Sequence, residues 1–227
     1  MNSMSILAGF FSDLGPSFPE LLDGLRLSMI LTFTSLAIGL PAALVLALGV
    51  TSPRRLYRIP SVVLVEFGRG APVLVVLQLT YYGLPDLGLT LASTVSAIAA
   101  LSLMTAAYSA EYIRGGLAGV PLGEIEACHA LGMSKMDSFR FVTFPQGIRI
   151  ALPSLLGFSV MLFQATSLAY TLAIPELMSR AYSIGSSNFE YLRVFIVAGL
   201  LYAAISIPAT WLSVLAEKRM NRHSRLV

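Results

Sequence analysis

The sequence is poor in charge and contains a single cysteine. Only 12% of its 227 residues are charged, against about a quarter in soluble domains, whereas 56% are hydrophobic. A net charge of +3 is too small to indicate a nucleic-acid partner. Cys128 cannot form a disulfide within the chain, which excludes an oxidised framework. Membrane proteins are the class that fits this composition.

Motifs that would indicate catalysis are also missing. The chain has no Gly-x-x-x-x-Gly-Lys-Ser/Thr run, so it cannot bind ATP phosphates through a P-loop. Its two histidines, His129 and His223, lie in polar segments without a Cys, His or Asp cluster placed for chemistry. We therefore expect no catalytic residue, no metal and no cofactor. The N-terminus lacks a basic region and a clear cleavage site, and we expect it to be mature sequence.

Five apolar runs are long enough to cross a membrane, which takes about 20 residues. Each must be a helix, because lipid offers the backbone no hydrogen-bond partners. The predicted fold is therefore all-α, a polytopic membrane protein with about five transmembrane helices in one domain over residues 1–227. The predicted spans are 27–49, 59–82, 89–108, 150–174 and 194–216.

The basic residues cluster in the first loop, the central loop and the tail. Lys and Arg are enriched on the cytoplasmic side of membrane proteins. Five spans put these three regions on one side, so we expect a cytoplasmic C-terminus and an external N-terminus. Acidic residues near the N-terminus agree, while Arg26, Arg180 and Arg193 oppose the rule weakly. The clusters are Arg54, Arg55 and Arg58; Arg114, Lys135, Arg140 and Arg149; and Lys218, Arg219, Arg222 and Arg225; the acidic residues are Asp13, Glu20 and Asp23.

Small residues recur every four positions on two predicted spans. This spacing lets helix backbones approach closely, although chance in an alanine-rich chain is the alternative. The pattern does not say whether the neighbouring helix belongs to this chain or to another subunit. The two stripes are Ser35, Gly39, Ala43 and Ala47, and Ala92, Ser96 and Ala100.

The central loop, residues 115–148, is polar and of mixed charge. Pro121 suits the start of a short helix, and Gly132 suits its end, where a left-handed residue is needed. Ser134 can cap a second short helix with Asp137, and Pro145 is expected to end it. The pattern predicts helix, turn and helix along the membrane face. Such a segment is either an amphipathic connector on lipid headgroups or a docking site for a soluble partner.

Polar side chains inside the spans are candidates for a solute path, because ionisable groups are costly there. Glu66 and Arg69 are spaced to pair, either as a structural ion pair or as a path lining, and Gly70 and Pro72 beside them predict a broken helix. Glu111 can pair with Arg114 in the same way. The remaining candidates, which either contact solute or serve the fold, are Tyr108, Gln164, Thr166 and Ser167.

The loop carries a resemblance to a known family. Glu126-Ala127-Cys128, three residues, Gly132, nine residues and Val142-Thr-Phe-Pro145 resembles the EAA loop of ABC importer permeases. That pattern reads Glu-Ala-Ala, three residues, Gly, nine residues, Ile, any residue, Leu, Pro. Arg69-Gly-Ala-Pro72, Arg114-Gly-Gly116 and Thr166-Ser-Leu168 are similar to its polar amino acid subgroup, and the resemblance extends from about Leu21 to Glu217.

The resemblance implies a permease subunit of a bacterial importer for polar amino acids or related solutes such as opines, in the inner membrane. It implies short cytoplasmic coupling helices that dock on an ATPase, with Glu126, Ala127, Gly132 and Pro145 at that contact. The implied partners are a second permease, identical or different, two ATPase subunits that bind the ATP, and an extracytoplasmic solute-binding protein. Membrane lipid surrounds the chain.

One departure from the family bears on the identity of the substrate, and one alternative bears on the class of transporter. Many relatives carry Lys-Asp where this chain has Gln164-Ala165, so two charges usual in the pathway region are absent. The alternative function is a secondary transporter or channel. It would need internal pseudo-symmetry, which the sequence does not display.

Overall fold

The computed structural model describes residues 17–223, except for the side chains at position 216 and at 219–223. Of the residues used in the charge argument, Asp13 and Arg225 lie outside the described part, as do the side chains of Arg219 and Arg222.

Every regular element in the described part is helical. Four segments are long and apolar enough to cross a membrane, namely Phe18–Val50, Ser93–Ala118, Lys135–Leu172 and Tyr191–Leu215, and Arg55–Gly70 with Val73–Leu87 is a fifth if this bent pair forms one span. This confirms the all-α class with about five spans. The α-helices are α1 (Phe18–Val50), α2 (Arg55–Gly70), α3 (Val73–Gln78), α4 (Ser93–Ala118), α5 (Leu122–Ala130), α6 (Lys135–Ser138), α7 (Phe144–Ala165), α8 (Leu177–Asn188) and α9 (Tyr191–His223).

The chain forms two compact units, each assembled from separate segments. Unit one contains residues 17–35, Pro72–Leu101 and Met161–Pro208, and unit two contains Leu36–Ala71, Ser102–Val160 and 209–223. Each unit has its own apolar core of buried side chains. The core of unit one joins α1, α8 and α9 through Leu21, Leu177, Ala181, Ile184, Val194, Val197 and Ala198. The core of unit two joins α1, α2 and α4 through Ala43, Ala47, Val65, Ala110 and Ile113.

The small-residue stripe on α1 packs against α4 of the same chain. A Cβ added to Gly39 would lie 2.6 Å from the Thr105 methyl carbon and 2.8 Å from the Ser102 carbonyl oxygen, so only glycine fits this crossing. Ala43 and Ala47 in the same stripe are fully buried. The neighbour left open by the sequence is therefore α4 for this part of the stripe. On the other stripe Ser96 and Ala100 are buried, whereas Ala92 is exposed.

The predicted break beside Arg69 is confirmed. Helix α2 ends at Gly70, and Ala71 is extended with φ −84° and ψ 136°. A residue that precedes proline is pushed out of the helical region, which is the reason for the break at this position. Pro72 is also extended, and α3 begins at Val73.

The prediction that Pro145 ends a helix is wrong. The chain remains helical from Lys135 to Leu172 and passes through Pro145. A π-helical turn over Phe139–Thr143 makes this possible, because the Phe144 N–H bonds the Phe139 carbonyl five residues back. Pro145 then occupies the first turn of α7, where the missing N–H matters least. The second short helix, α6, is thus the beginning of a spanning segment.

Candidate functional site

The turn after α5 is fixed by backbone geometry. Gly132 has φ +77°, the left-handed conformation that the sequence predicts. The Met133 N–H donates to the Cys128 carbonyl and the Gly132 N–H to the His129 carbonyl, both at 3.0 Å, which is the Schellman pattern of a helix end. An added Cβ at Gly132 would meet no atom within 4 Å, so conformation rather than space requires glycine here.

The residue pair after the turn forms the predicted helix cap. Ser134 Oγ accepts from the Asp137 N–H at 3.1 Å and donates to the Asp137 carboxylate at 2.6 Å. Two side-chain contacts therefore satisfy the start of α6. Since Gly132 and Ser134 are two residues apart, both flanks of the turn are held by local bonds.

The loop is anchored where α4 meets α7. A Cβ at Gly116 would lie 2.8 Å from the Ala151 Cβ and would overlap the Gly147 carbonyl oxygen, so the two backbones touch. The Gln146 side-chain amide donates to the carboxylate of Glu124, which ties α5 to α7 as well. These contacts link α5 to α7, and α7 to α4.

The outer surface of the loop mixes carboxylates with large apolar side chains. Glu126 and Ala127 are both exposed on α5, whereas Cys128, the next residue of the same helix, is buried. Leu131 is 81% exposed and Met136 is 71% exposed, on either side of Gly132. Large contiguous apolar patches mark surfaces that contact another protein or a membrane, whereas single exposed apolar side chains are common. Glu126, Ala127 and Gly132 are thus all exposed in the loop, while Pro145 lies in α7.

The predicted polar residues Glu66, Arg69 and Tyr108 come together in unit two. Arg69 lies 3.9 Å from Glu66 and 3.8 Å from Glu111, and Glu111 receives two hydrogen bonds from Arg114 at 2.8 and 3.0 Å. The Tyr108 hydroxyl donates to the Arg69 carbonyl at 3.2 Å. That bond satisfies an acceptor at the end of α2, where intrahelical partners run out. These contacts lie at the end of α2, beside the break in the helix.

The residues of the polar patch after Phe163 separate in the structure. Thr166 is fully buried and donates to the Phe163 carbonyl at 2.6 Å. Gln164 and Ser167 instead line an open groove of about 400 Å³ in unit one. Their partners in the groove lining all come from α9: Gly199, Tyr202, Ala203, Ser206 and Ile207.

Glu176 is the functional candidate that sequence reasoning missed. It is fully buried, and its carboxylate accepts from the hydroxyls of Ser28 at 3.3 Å and Tyr202 at 3.0 Å. It also caps α8 by accepting from the N–H groups of Met178 and Ser179 at 2.9 and 2.7 Å. Burial raises the pKa of Glu176 above its usual value, and the four donors only partly oppose this.

The sequence contains only a weak signal for this residue. Glu176 follows Pro175 ahead of the segment Leu177–Asn188, which the sequence does not predict as a helix. Glutamate is not among the favoured N-cap residues, so the position does not stand out. The better signal is a carboxylate in apolar surroundings, which requires partners.

The described residues contain no group of three or more His, Cys, Asp or Glu side chains that could hold a metal ion. The candidate features for function are the loop surface, the charged contacts around Arg69, the groove beside Gln164 and the buried Glu176.

Known proteins resemble this chain over most of its length. Residues 17–222 match the family described as "Binding-protein-dependent transport system inner membrane component". The "Probable amino-acid ABC transporter permease protein YckA" of Bacillus subtilis (strain 168) is 36% identical, over 89% of this chain and 90% of the relative. The "Nopaline transport system permease protein NocM" of Agrobacterium fabrum (strain C58 / ATCC 33970) is 39% identical, over 92% and 91%. A solved structure, "Crystal structure of an amino acid ABC transporter with histidines", has a TM-score of 0.86 and 29% identity, over 92% and 98%.

Proposed function

Because the chain belongs to the family of binding-protein-dependent transport system inner membrane components, we propose that it forms part of the membrane pathway of an ABC importer for polar amino acids or opine-like solutes. Membership makes it a multi-pass inner-membrane permease subunit and not an enzyme. It also implies an ATPase and a solute-binding protein as partners. The solute class is supported by the relatives' names, which specify amino acids and nopaline.

The turn at Gly132 carries the coupling part of the proposal. A helix that transmits the closure of a separate ATPase must be rigid and must be attached to the spans. The Schellman bonds and the Ser134 cap supply rigidity, and the contacts of Gly116 with Gly147 and of Glu124 with Gln146 supply the attachment. In this proposal Glu126, Ala127 and the exposed apolar residues contact the ATPase.

The proposed assembly has two permeases, two ATPase subunits and one extracytoplasmic binding protein. About five spans per chain are too few to enclose a path well, which favours a pair, identical or different. The N-terminus is proposed to face outward and the C-terminus to face the cytoplasm. The basic residues in the first loop, the central loop and the tail support this orientation.

For the solute path we propose Gln164 and Ser167, because both line the groove. Thr166 serves the fold, since it is buried and bonded to its own helix. Glu66, Arg69 and Tyr108 are proposed to hold the end of α2, and Pro145 to start α7 beside the loop.

The function is tested by uptake into proteoliposomes that contain this chain with its ATPase and binding protein. We expect uptake of labelled amino acid only when ATP is enclosed on the loop side and the binding protein is present. Uptake that continues without ATP and follows an ion gradient would support the alternative, a secondary transporter or channel.

A further inference from the structure

The groove in unit one has a lining of defined chemistry. Five of its residues recur on one face of α9, and Gln164 and Ser167 face them from the end of the preceding span. Gly199 and Ala203 leave the space, while the amide of Gln164 and the hydroxyl of Ser167 provide polarity. The Ser206 hydroxyl is itself buried and is not exposed in the groove. None of the described residues that line this groove carries a charge.

An uncharged lining restricts what the groove can hold. A charged group that leaves water needs an opposite charge or several hydrogen bonds, or it incurs a penalty of several kcal/mol. Gln164 offers both a donor and an acceptor on one side chain. The Ser167 hydroxyl already donates to the Gln164 carbonyl at 2.7 Å, so its oxygen is left as an acceptor. An amide or hydroxyl group satisfies these partners without any charge.

Tyr202 is the aromatic residue of the groove lining, and residues outside the lining hold its side chain in place. The Tyr202 hydroxyl donates to Glu176 at 3.0 Å, and its ring packs on Phe163 with 5.2 Å between ring centroids. Glu176 is itself held by Ser28 and by the first N–H groups of α8. The buried carboxylate does not line the groove, so it can act there only through Tyr202.

We propose that the groove recognises an uncharged polar part of the transported solute, an amide or a hydroxyl group, and that Glu176 is a positioning residue that holds Tyr202 as the wall of this groove. The proposal rests on the function proposed above. It adds the chemical class that the groove accepts and a residue outside the groove that shapes it.

The test places a reporter thiol in the groove. Ala203→Cys is introduced in a Cys128→Ala background, which removes the one native cysteine and leaves Gln164, Ser167 and Tyr202 intact. Thiol modification of the assembled transporter is then timed without ATP, using neutral, cationic and anionic methanethiosulfonates. We expect the ratio of the modification rates of the cationic and anionic reagents to equal the ratio that they show with a free thiol in solution. If the groove carried a net charge, the reagent of opposite charge would react about tenfold faster or more, relative to that free-thiol ratio. This result would overturn the proposal.

Protection by added solutes tests the ligand class. L-glutamine and L-serine should slow modification of the thiol introduced at position 203, whereas L-arginine and L-glutamate should not. Gln164→Asp should transfer protection to L-arginine. Absence of protection by L-glutamine and L-serine, or an unchanged pattern in Gln164→Asp, would overturn the proposed class. Protection without ATP-driven uptake in the same vesicles would contradict the proposed function alone, and uptake without protection would contradict the groove alone.

A double-mutant comparison tests the positioning role. Glu176→Gln and Tyr202→Phe should each raise the half-protecting L-glutamine concentration by about two- to tenfold, the equivalent of one hydrogen bond. The double variant should show no further increase over Tyr202→Phe, because the contact that the glutamine weakens is already absent there. Glu190→Gln, on an exposed residue after α8, is the matched control and should change nothing. Additive effects, or protection by L-glutamine that is unchanged in Tyr202→Phe, would overturn the role of Glu176.

Discussion

The loop in unit two and the Glu176 cluster in unit one both fix a helix terminus, but by opposite means. The Gly132 turn and the Ser134 cap of the loop use bonds between residues at most five positions apart, and the cap is exposed to solvent. The cluster gathers donors from α1, α8 and α9 around one buried carboxylate. Local exposed bonds can be lost at small cost, whereas a buried carboxylate leaves several unpaired groups when it is removed. The two regions should therefore respond to mutation on different scales.

The largest effect is expected at Glu176. Glu176→Leu leaves two hydroxyls and two N–H groups without their acceptor in a buried site, which should cost about 3 kcal/mol or more. Thermal unfolding in detergent should detect this as a lower Tm. The exposed Glu190→Leu serves as control. An equal Tm for the two variants would remove the contrast between the buried cluster and exposed positions.

The next effect is expected where α4 contacts α7. Gly116→Ala forces a methyl group against Ala151 and the Gly147 carbonyl, and such overpacking costs about 1–3 kcal/mol. Gly115→Ala, one residue earlier, meets no atom within 4 Å and should be neutral or slightly stabilising. Unfolding midpoints of the two variants measure the difference. Equal midpoints would mean that the loop is not anchored by this contact.

A smaller and purely local effect is expected at the turn. Gly132→Leu places a branched side chain at φ +77°, which costs about 1–2 kcal/mol, whereas Gly132→Asn has a side chain of similar size that tolerates this conformation. In proteoliposomes with the ATPase and binding protein, the leucine variant should hydrolyse ATP with less uptake per ATP. The asparagine variant should remain near wild type. Wild-type uptake per ATP in Gly132→Leu would remove the turn from the coupling mechanism.

The smallest effect is expected at the cap of α6. Ser134→Ala removes the acceptor for the Asp137 N–H, a loss of about 1 kcal/mol. Hydrogen exchange at the Asp137 amide should accelerate, and Ser134→Asp should restore protection because aspartate also caps helices. Unchanged exchange in the alanine variant would show that the start of α6 is held by something other than this serine.

The sequence was a good guide where the determinants are local. The left-handed glycine at 132, the Ser134 cap and the break before Pro72 each depend on neighbouring residues, and all three are confirmed. The prediction that Pro145 ends a helix failed, because the π-helical turn before this residue lets a proline follow without ending the helix. The rule about proline is local as well, but it assumes regular α-helical bonding up to that residue.

The Glu176 cluster could not be predicted from neighbouring residues in the sequence. Its hydroxyl partners Ser28 and Tyr202 are 148 and 26 residues away along the chain. The same limit applies to the polar patch, where Gln164 and Thr166 look equivalent in sequence. The two residues are two positions apart, which puts them on roughly opposite faces of a helix, and Thr166 is buried while Gln164 is exposed. Which face borders the groove depends on the packing of α9, which the local sequence does not specify.

The central claim, that the loop surface contacts an ATPase, is tested most directly by thiol labelling of Leu131→Cys in a Cys128→Ala background. Leu56→Cys, at a position that is 78% exposed and outside the loop, is the control. A membrane-impermeant maleimide is applied to inside-out membrane vesicles and to intact cells. We predict that the thiol at position 131 reacts only in inside-out vesicles and that the assembled ATPase protects it, while the thiol at position 56 reacts there with or without the ATPase. Labelling of position 131 from outside intact cells, or equal labelling with and without the ATPase, would contradict the account.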